Sequence, residues 1–243
     1  LTSKIKGALA YPIFMTLIGC VVLFLLLTFV VPNMTSIFSD MGKALPLPTR
    51  ILIGTSDFLG SWWWVLAILL TAAIVGLSAF KTSEKGKRVI DRTLMTLPVF
   101  GDLVLKLAVA RFSRTLGSLL ENGVSMMNAL DVVKNVAGNS LISETIALAA
   151  REVEQGHELG AALNASKVFP FLSIQMIKVG EQSGELETML NKVADVYEKE
   201  VESSLVGMTA LLEPAIILLM GVVVGFIVFS ICLPIFEMNQ LIK

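Results

Sequence analysis

The chain has 243 residues, of which 55% are hydrophobic and 16% charged, and its mean hydropathy is +0.79. This composition is too apolar for an ordinary soluble domain and favours a membrane protein. The formal net charge is only −1, and we expect no nucleic-acid partner.

Three apolar runs with almost no charge predict transmembrane helices at residues 12–32, 60–80 and 212–234. The first and third runs are each framed by two prolines 20 residues apart: Pro12 with Pro32, and Pro214 with Pro234. Twenty helical residues extend roughly 30 Å, which matches the hydrocarbon core of a bilayer. The alternative, buried helices in a soluble core, is disfavoured because uncharged runs of this length usually span a membrane.

The second run begins with Trp62, Trp63 and Trp64, as an aromatic belt at a membrane interface would. The first run is too long for a cleaved signal peptide, and it lacks a small-residue cleavage site. Because the chain begins with Leu rather than Met, we expect it to be a piece of a longer protein.

Basic residues near the ends of the spans predict the orientation in the membrane. Two lysines precede the first span, and five Lys or Arg residues lie within 81–92, directly after the second. The 33–59 loop contains only two such residues. We therefore expect residues 81–211 in the cytoplasm, and the 33–59 loop and the 235–243 tail on the outer side.

The sequence pattern of residues 81–211 predicts a bundle of six helices. An apolar stripe with i, i+3/i+4 spacing from Leu105 to Leu120 defines the first helix, which ends at Asn122-Gly123. Later helices are predicted from Ser125, over 141–155, over 158–166, over 171–179, and from Gly184 onward. The last helix meets no proline before Pro214, so we expect it to run almost directly into the third span. The fold class is therefore all-α: a multi-pass membrane protein with three transmembrane helices and a cytoplasmic six-helix bundle.

Charge divides the predicted bundle into two parts. Residues 81–114 contain eight Lys or Arg against three Asp or Glu, whereas residues 121–206 contain six against thirteen. We expect the basic part near anionic lipid, and we expect the acidic part either to be solvated or to dock a basic partner. The candidate docking residues are Glu181, Glu185, Glu187 and Glu213. The alternative for Glu213 is that it reaches water among the lipid headgroups.

Small residues four apart are candidates for close helix packing between spans or subunits: Gly221 with Gly225, and Ala72 with Gly76. The alternative is that these residues face lipid. We expect Cys20 and Cys232 to remain unpaired. The first and third spans run in the same direction, which separates the two cysteines by about 15 Å in depth.

The sequence lacks the groups that catalysis or ion transport need. The Gly-Lys pairs at 42–43 and 86–87 lack the other residues of a phosphate-binding loop, and the single histidine, His157, cannot form a metal site alone. No Asp, His, Lys or Arg lies within the three runs. We therefore expect no enzyme activity, no cofactor and no metal. The alternative function, a membrane channel or transporter component, is weakened because polar residues in the spans are sparse and scattered.

Motifs recur along the whole chain in a specific order. The first is Lys4-Ile5-x-x-Ala8-Leu9-x-Tyr11-Pro12, followed by Gly19 and Val30-Val31-Pro32. The later ones are Leu119-Leu120-Glu-Asn-Gly-Val124, Phe169-Pro170, Val179-Gly-Glu-Gln-Ser-Gly-Glu-Leu186, Leu212-Glu-Pro214 and Leu233-Pro-Ile-Phe236. In order and spacing they resemble the type II secretion F family, which includes general secretion pathway protein F and the pilus assembly protein PilC.

The resemblance implies a protein with two similar cytoplasmic helical domains, of which residues 1–11 would be the end of the first. It implies an inner-membrane platform of a type II secretion or type IV pilus machine, with the 33–59 loop and the 235–243 tail in the periplasm. The implied partners are a hexameric assembly ATPase, pilin or pseudopilin subunits, other inner-membrane platform proteins, membrane lipid and further copies of the chain. The ATPase would supply the energy for assembly.

Overall fold

The computed structural model of the chain describes residues 2–33, 46–98 and 100–241, and all regular secondary structure in these residues is helical. The helices are α1 (Thr2–Leu25), a π-helical turn (Leu26–Val30), α2 (Leu47–Thr82), α3 (Glu84–Thr96), α4 (Phe100–Glu121), α5 (Met126–Val136), α6 (Ser140–Glu154), α7 (Leu159–Ala165), α8 (Phe171–Ser183) and α9 (Leu186–Leu241). They divide into two compact units. We call residues 77–205 the bundle unit, and residues 2–76 with 206–243 the membrane unit.

The core of the bundle unit is a cluster of buried apolar side chains from every helix between α4 and the start of α9. Phe112 of α4 and Phe169, which precedes α8, contact edge to face with their ring centroids 5.1 Å apart. Burial of each large side chain stabilises the unit by about 1.5–3 kcal/mol. Helix α4 ends at a left-handed Gly123, and the Val124 N–H donates to the Leu119 carbonyl at 3.0 Å. This is the C-terminal arrangement that the Asn122-Gly123 pair predicts.

The predicted count of six bundle helices omits α3. The described part of the bundle unit contains the end of α2, then α3 to α8 and the start of α9, which makes eight helical segments. The inward face of α3 consists of the half-buried Ile90, Leu94 and Met95 and the buried Asp91. The segment is strongly amphipathic, but charged residues fill most of its other positions, so it lacks the apolar character on which the helix prediction relies.

Helix α8 continues past its predicted end near Gly180 and reaches Ser183. The left-handed residue that ends it is Gly184, and the Glu185 N–H donates to the Gly180 carbonyl at 2.9 Å. Gly180 serves close packing instead, because a Cβ there would lie 2.9 Å from the Leu186 Cα and the Met189 Cβ. A glycine that permits close helix contact looks in the sequence like a glycine that stops a helix.

Two helices are long and apolar enough to cross a membrane: Ala10–Asn33 and Leu186–Pro234. They contain the first and third predicted spans. The second predicted span lies in α2, which bends by 50° between Leu47–Val65 and Ala67–Phe80 and qualifies only if both arms form one span. The bent pair Gly86–Thr96 and Phe100–Glu121 also qualifies, but its second arm contributes to the bundle core. Three spans therefore stay a prediction.

The predicted 33–59 loop is helical from Leu47, where α2 begins. Residues 34–45 lie outside the described part of the chain, as do Leu1 and residues 242–243 of the predicted tail. The predicted span is shorter than α2, because the uncharged run in the sequence begins only at Phe58, after Arg50 and Asp57. Cys20 and Cys232 are both free thiols in the structure.

Candidate functional site

Pro234 removes a hydrogen bond inside the membrane unit, and a side chain of α2 replaces it. Proline has no backbone N–H, so the carbonyl four residues earlier loses its helical donor. For Pro234 that carbonyl belongs to Ser230. The hydroxyl of Thr49, which is 1% exposed, donates to the Ser230 carbonyl at 2.6 Å.

Pro32 also leaves a backbone carbonyl without a helical N–H donor, near the end of the first predicted span. In the π-helical turn before it, the Val31 N–H donates to the Leu26 carbonyl, five residues back. The Leu27 carbonyl would next pair with residue 32, which is a proline and has no N–H. The hydroxyl of Ser56, which is 2% exposed, donates to the Leu27 carbonyl instead.

One face of α2 therefore donates hydrogen bonds to both helices, next to Pro32 and Pro234. Thr49 and Ser56 are seven residues apart, about two helical turns, so they lie on the same side of α2. Leu52 lies between them and is buried in a cluster with Val31 and Ile227. We call Thr49, Leu52 and Ser56 the α2 clamp. A buried carbonyl without a hydrogen-bond donor costs about 1–3 kcal/mol, so the two hydroxyls stabilise both helices where α2 packs on them.

Helices α1 and α9 run parallel within the membrane unit. Residues further along α1 contact residues further along α9. Tyr11 contacts Glu213, Gly19 faces Met220, and the ends meet through Leu27, Val31, Ile227 and Ile231. A Cβ at Gly19 would lie 3.0 Å from the Met220 Cε and 3.1 Å from its Sδ. Gly19 therefore permits the close approach of these helices.

Glu213, a predicted docking residue, lies in the membrane unit and not with the other three. It accepts a hydrogen bond from the Tyr11 hydroxyl at 3.3 Å, and both residues are exposed. Together with Pro12 and Ile217 they line a shallow recess between α1 and α9. Glu213 thus joins two helices within the chain while remaining accessible.

The other three predicted docking residues lie in the bundle unit but differ in their surroundings. The Glu181 carboxylate accepts hydrogen bonds from the N–H groups of Leu159, at 2.5 Å, and Gly160, at 2.8 Å, at the start of α7. It is half-buried and satisfies backbone donors, as a carboxylate at a helix N-terminus does. Glu185 is exposed and Glu187 is half-buried, at the start of α9. These two remain open to a partner.

The predicted helix-packing residues have no partner in the described part of the chain. No heavy atom lies within 4 Å of a Cβ built at Gly221, Gly225 or Gly76, outside the immediate helix backbone. Ala72 is exposed. Both faces are therefore free for packing against another molecule or for contact with lipid.

Ion pairs join α4 to the first turns of α9 within the bundle unit. The Arg114 guanidinium contacts the carboxylates of Glu198, at 3.1 Å, and Asp195. Lys106 Nζ lies 2.7 Å from Asp102 and 3.0 Å from Glu200. Hydrogen bonds to Asp102 and then Glu200 raise the pKa of Lys106, so it stays protonated at neutral pH. The two basic residues hold the beginning of α9 against the bundle.

His157 is exposed, and its Nδ1 lies 3.0 Å from a carboxylate oxygen of Glu152. In the described residues, no three His, Cys, Asp or Glu side chains are grouped as a metal site requires. This pair is a surface contact next to the groove between α6 and α7.

Thr49 and Ser56 were not singled out by the sequence analysis. A signal for them exists, because each span-ending proline leaves a carbonyl that needs a donor. Two hydroxyl residues seven apart, just before the second span, are suitable donors. Finding them from sequence would have required knowing that this segment is helical and packs against both spans.

The helical bundle unit and the two long, parallel apolar helices are typical of a helical membrane protein. The sequence profile of type II secretion system (T2SS) protein F matches residues 112–234, which are half of the chain. The chain belongs to the type II secretion system protein F family.

Curated relatives come from two kinds of machine. The chain is 42% identical to "Type IV pilus assembly protein PilC" of Thermus thermophilus over 98% of its length and 59% of the relative. It is 37% identical to "Type IV pilus assembly protein TapC" of Aeromonas hydrophila, over 100% of the chain and 59% of the relative. It is 36% identical to "Type II secretion system protein F" of Xanthomonas campestris, over 100% of the chain and 60% of the relative. The chain therefore spans about three fifths of the length of these relatives.

Proposed function

We propose that the chain is part of an inner-membrane platform protein of a type II secretion or type IV pilus machine. In this proposal the bundle unit is cytoplasmic, and the protein couples a hexameric assembly ATPase to the polymerisation of pilin or pseudopilin subunits. The observation that carries the proposal is α9, a single helix from Leu186 to Leu241 with residues in both units. Membership in the family and the names of the relatives support it.

In this proposal the ATPase docks at the beginning of α9. Glu185 and Glu187 are open to a basic surface of the ATPase, whereas Glu181 is already engaged with backbone donors of α7. Arg114 and Lys106 hold this part of α9 to α4. A force applied to the bundle therefore reaches α9 through ion pairs and the packed core, not through a flexible joint.

The motion is transmitted to fibre subunits by the part of α9 in the membrane unit. Gly19 packs α1 closely on α9, and the α2 clamp holds the ends of both helices. A rotation or shift of α9 would therefore move α1 and the first turns of α2 with it. The exposed Gly221–Gly225 and Ala72–Gly76 faces remain available for a second copy or for the apolar helix of a fibre subunit.

Charge reversal in the full-length protein tests the docking surface. The variant Glu185→Lys with Glu187→Lys is compared with Glu154→Lys, an exposed acidic residue at the end of α6. We expect the double variant to lower ATPase co-purification at least fivefold and to reduce fibre assembly, because like charges repel a basic partner. Normal recruitment and assembly in the double variant would refute this docking site.

Cysteine labelling tests the orientation separately. Glu154→Cys in the bundle unit and Leu47→Cys at the start of α2 are placed in a Cys20→Ser, Cys232→Ser background. We expect a membrane-impermeant maleimide to label Leu47→Cys in cells with an opened outer membrane, and to label Glu154→Cys only after lysis. Labelling of Glu154→Cys before lysis would place the bundle outside and overturn the proposed topology.

A further inference from the structure

A polar cleft of about 400 Å³ lies in the bundle unit between α3 and the turn that joins α5 to α6. Lys87 and Arg88 of α3 form one wall. Lys134, Ser140 and Glu144 line the opposite side. None of the proposed docking or packing residues belongs to this cleft.

The side chains that line the cleft carry more positive than negative charge, because Lys87, Arg88 and Lys134 are cations and Glu144 is the one carboxylate among the lining residues. Two further carboxylates lie beside the lining: Asp131 pairs with Lys134, and the buried Asp91 accepts a hydrogen bond from the Ser140 N–H at 2.7 Å. Lys87 and Arg88 form no salt bridge with any side chain that the structure describes. Across the cleft, Lys87 and Arg88 therefore face the carboxylate of Glu144.

Ser140 adds a hydrogen-bond donor to this charge. Its Oγ is buried and has no hydrogen-bond partner in the described part of the chain. A buried hydroxyl without a partner costs free energy, so such groups usually serve a ligand or a water molecule. Ammonium, guanidinium and hydroxyl groups all donate hydrogen bonds to phosphate oxygens.

The position of Lys87 in the chain limits how far the cleft can lie from the bilayer. Lys87 follows Phe80, the last residue of the uncharged run in α2, by seven residues. Seven residues reach at most about 25 Å even when fully extended. Gly86 packs directly against the Phe80 carbonyl, so Lys87 lies beside the end of α2. If α2 crosses the membrane, the cleft is therefore near the layer of lipid headgroups, where anionic lipids attract Lys and Arg.

We propose that this cleft binds the phosphate group of a phospholipid headgroup. Lys87, Arg88 and the Ser140 hydroxyl donate to the phosphate oxygens, and Glu144 accepts from a hydroxyl group of the headgroup. The Glu144 carboxylate also repels a bare phosphate dianion, which favours a phosphodiester with a hydroxylated headgroup, such as phosphatidylglycerol. This inference requires that α2 crosses the membrane, but it is independent of ATPase docking and fibre assembly.

The test is a titration of the whole chain in a neutral detergent with short-chain phosphatidylglycerol, in which native mass spectrometry counts bound lipid. We expect Lys87→Gln with Arg88→Gln to weaken the tightest site at least tenfold. The matched control is Arg92→Gln, an exposed residue of the same helix that does not line the cleft. We expect this control to change the affinity less than twofold. Equal losses in the control and the double variant, or no loss in either, would overturn the proposal.

Two further measurements identify the source of the phosphate and the role of the hydroxyl. Inorganic phosphate should compete with the lipid at least tenfold more weakly than free short-chain lipid does; equal competition would assign the cleft to free phosphate and overturn the lipid assignment. Ser140→Ala should weaken lipid binding about threefold to tenfold with an unchanged melting temperature. Unchanged binding in Ser140→Ala would remove this hydroxyl from the site.

Discussion

The two ends of the α1–α9 helix pair are joined in different ways. At the Pro32 and Pro234 end, two buried hydroxyls of α2 donate to backbone carbonyls, and Leu52 fills the space between them. At the other end, one exposed hydrogen bond of 3.3 Å joins Tyr11 to Glu213 beside a shallow recess. One end is fixed by burial, and the other is held by a contact that water and partners can replace.

This difference assigns separate roles to the two ends. The two hydroxyls of the α2 clamp are buried away from water, so their loss leaves two carbonyls unsatisfied. An exposed side-chain contact exchanges with water and contributes little to stability. The clamped end therefore maintains the geometry of the membrane unit, and we propose that the Tyr11–Glu213 end responds to a partner. Four predictions test this comparison.

The largest effect is expected when both hydroxyls of the clamp are removed. Thr49→Val with Ser56→Ala leaves the carbonyls of Ser230 and Leu27 without donors, at about 1–1.7 kcal/mol each. We expect the free energy of unfolding in detergent to fall by about 2–3 kcal/mol. The measurement is thermal or denaturant unfolding of the purified chain.

The same helix supplies a control for this double variant. Thr55 is exposed, and its hydroxyl donates to the Ile51 carbonyl of its own helix at 2.9 Å. Because that carbonyl keeps its helical donor, Thr55→Val should change the free energy of unfolding by less than about 0.5 kcal/mol. A loss as large as that of the double variant would mean that removing any hydroxyl from α2 destabilises the chain, whether or not it bonds to another helix.

A smaller effect is expected from the close contact in the middle of the helix pair. Gly19→Val places a branched side chain against Met220, and overpacking of this kind costs about 1–2 kcal/mol when the neighbour is flexible. Gly221 occupies the matching position, seven residues after the first proline of its span, but faces open space. Gly221→Val should leave the unfolding of the isolated chain nearly unchanged. Equal destabilisation by both variants would contradict the asymmetric packing.

A double-mutant cycle tests the link between Pro234 and Thr49. Pro234→Ala restores the N–H that the Ser230 carbonyl lacks, so Thr49 is no longer its only donor. We expect Thr49→Val to cost about 1 kcal/mol less in the Pro234→Ala background than in the natural chain. Additive costs would show that Thr49 does not compensate for the proline.

The smallest effect is expected at the exposed end. Tyr11→Phe removes the hydrogen bond to Glu213 and should lower the free energy of unfolding by less than about 0.5 kcal/mol. If this end responds to a partner, the same variant should nevertheless alter fibre assembly in cells that carry the full-length protein. A large loss of stability would show that both ends of the helix pair are fixed.

The features that sequence predicted well depend on local patterns. The stripe from Leu105 to Leu120 corresponds to α4, and Gly123 ends that helix as its left-handed conformation allows. The apolar runs framed by prolines correspond to helices long enough to span. Periodicity and span length are visible in a short window of sequence, because they reflect one helix at a time.

The features that sequence missed depend on contacts between distant segments. Thr49 and Ser230 are 181 residues apart, and no local pattern indicates that one donates to the other. Glu181 resembles a free surface carboxylate in the sequence, yet it satisfies backbone N–H groups of α7. Helix α3 has a clear amphipathic pattern, but it is short and rich in charge, so a prediction based on apolar runs omits it. Charge and spacing suggest what a residue can do, but tertiary packing decides which groups it meets.

The seven-residue spacing of Thr49 and Ser56 has a consequence for how this segment can evolve. Inserting or deleting one residue between them would turn one hydroxyl about 100° around the helix axis relative to the other. The two carbonyls could then not both be reached, whatever amino acid was inserted. Related proteins should therefore tolerate many substitutions along this stretch but no change in its length.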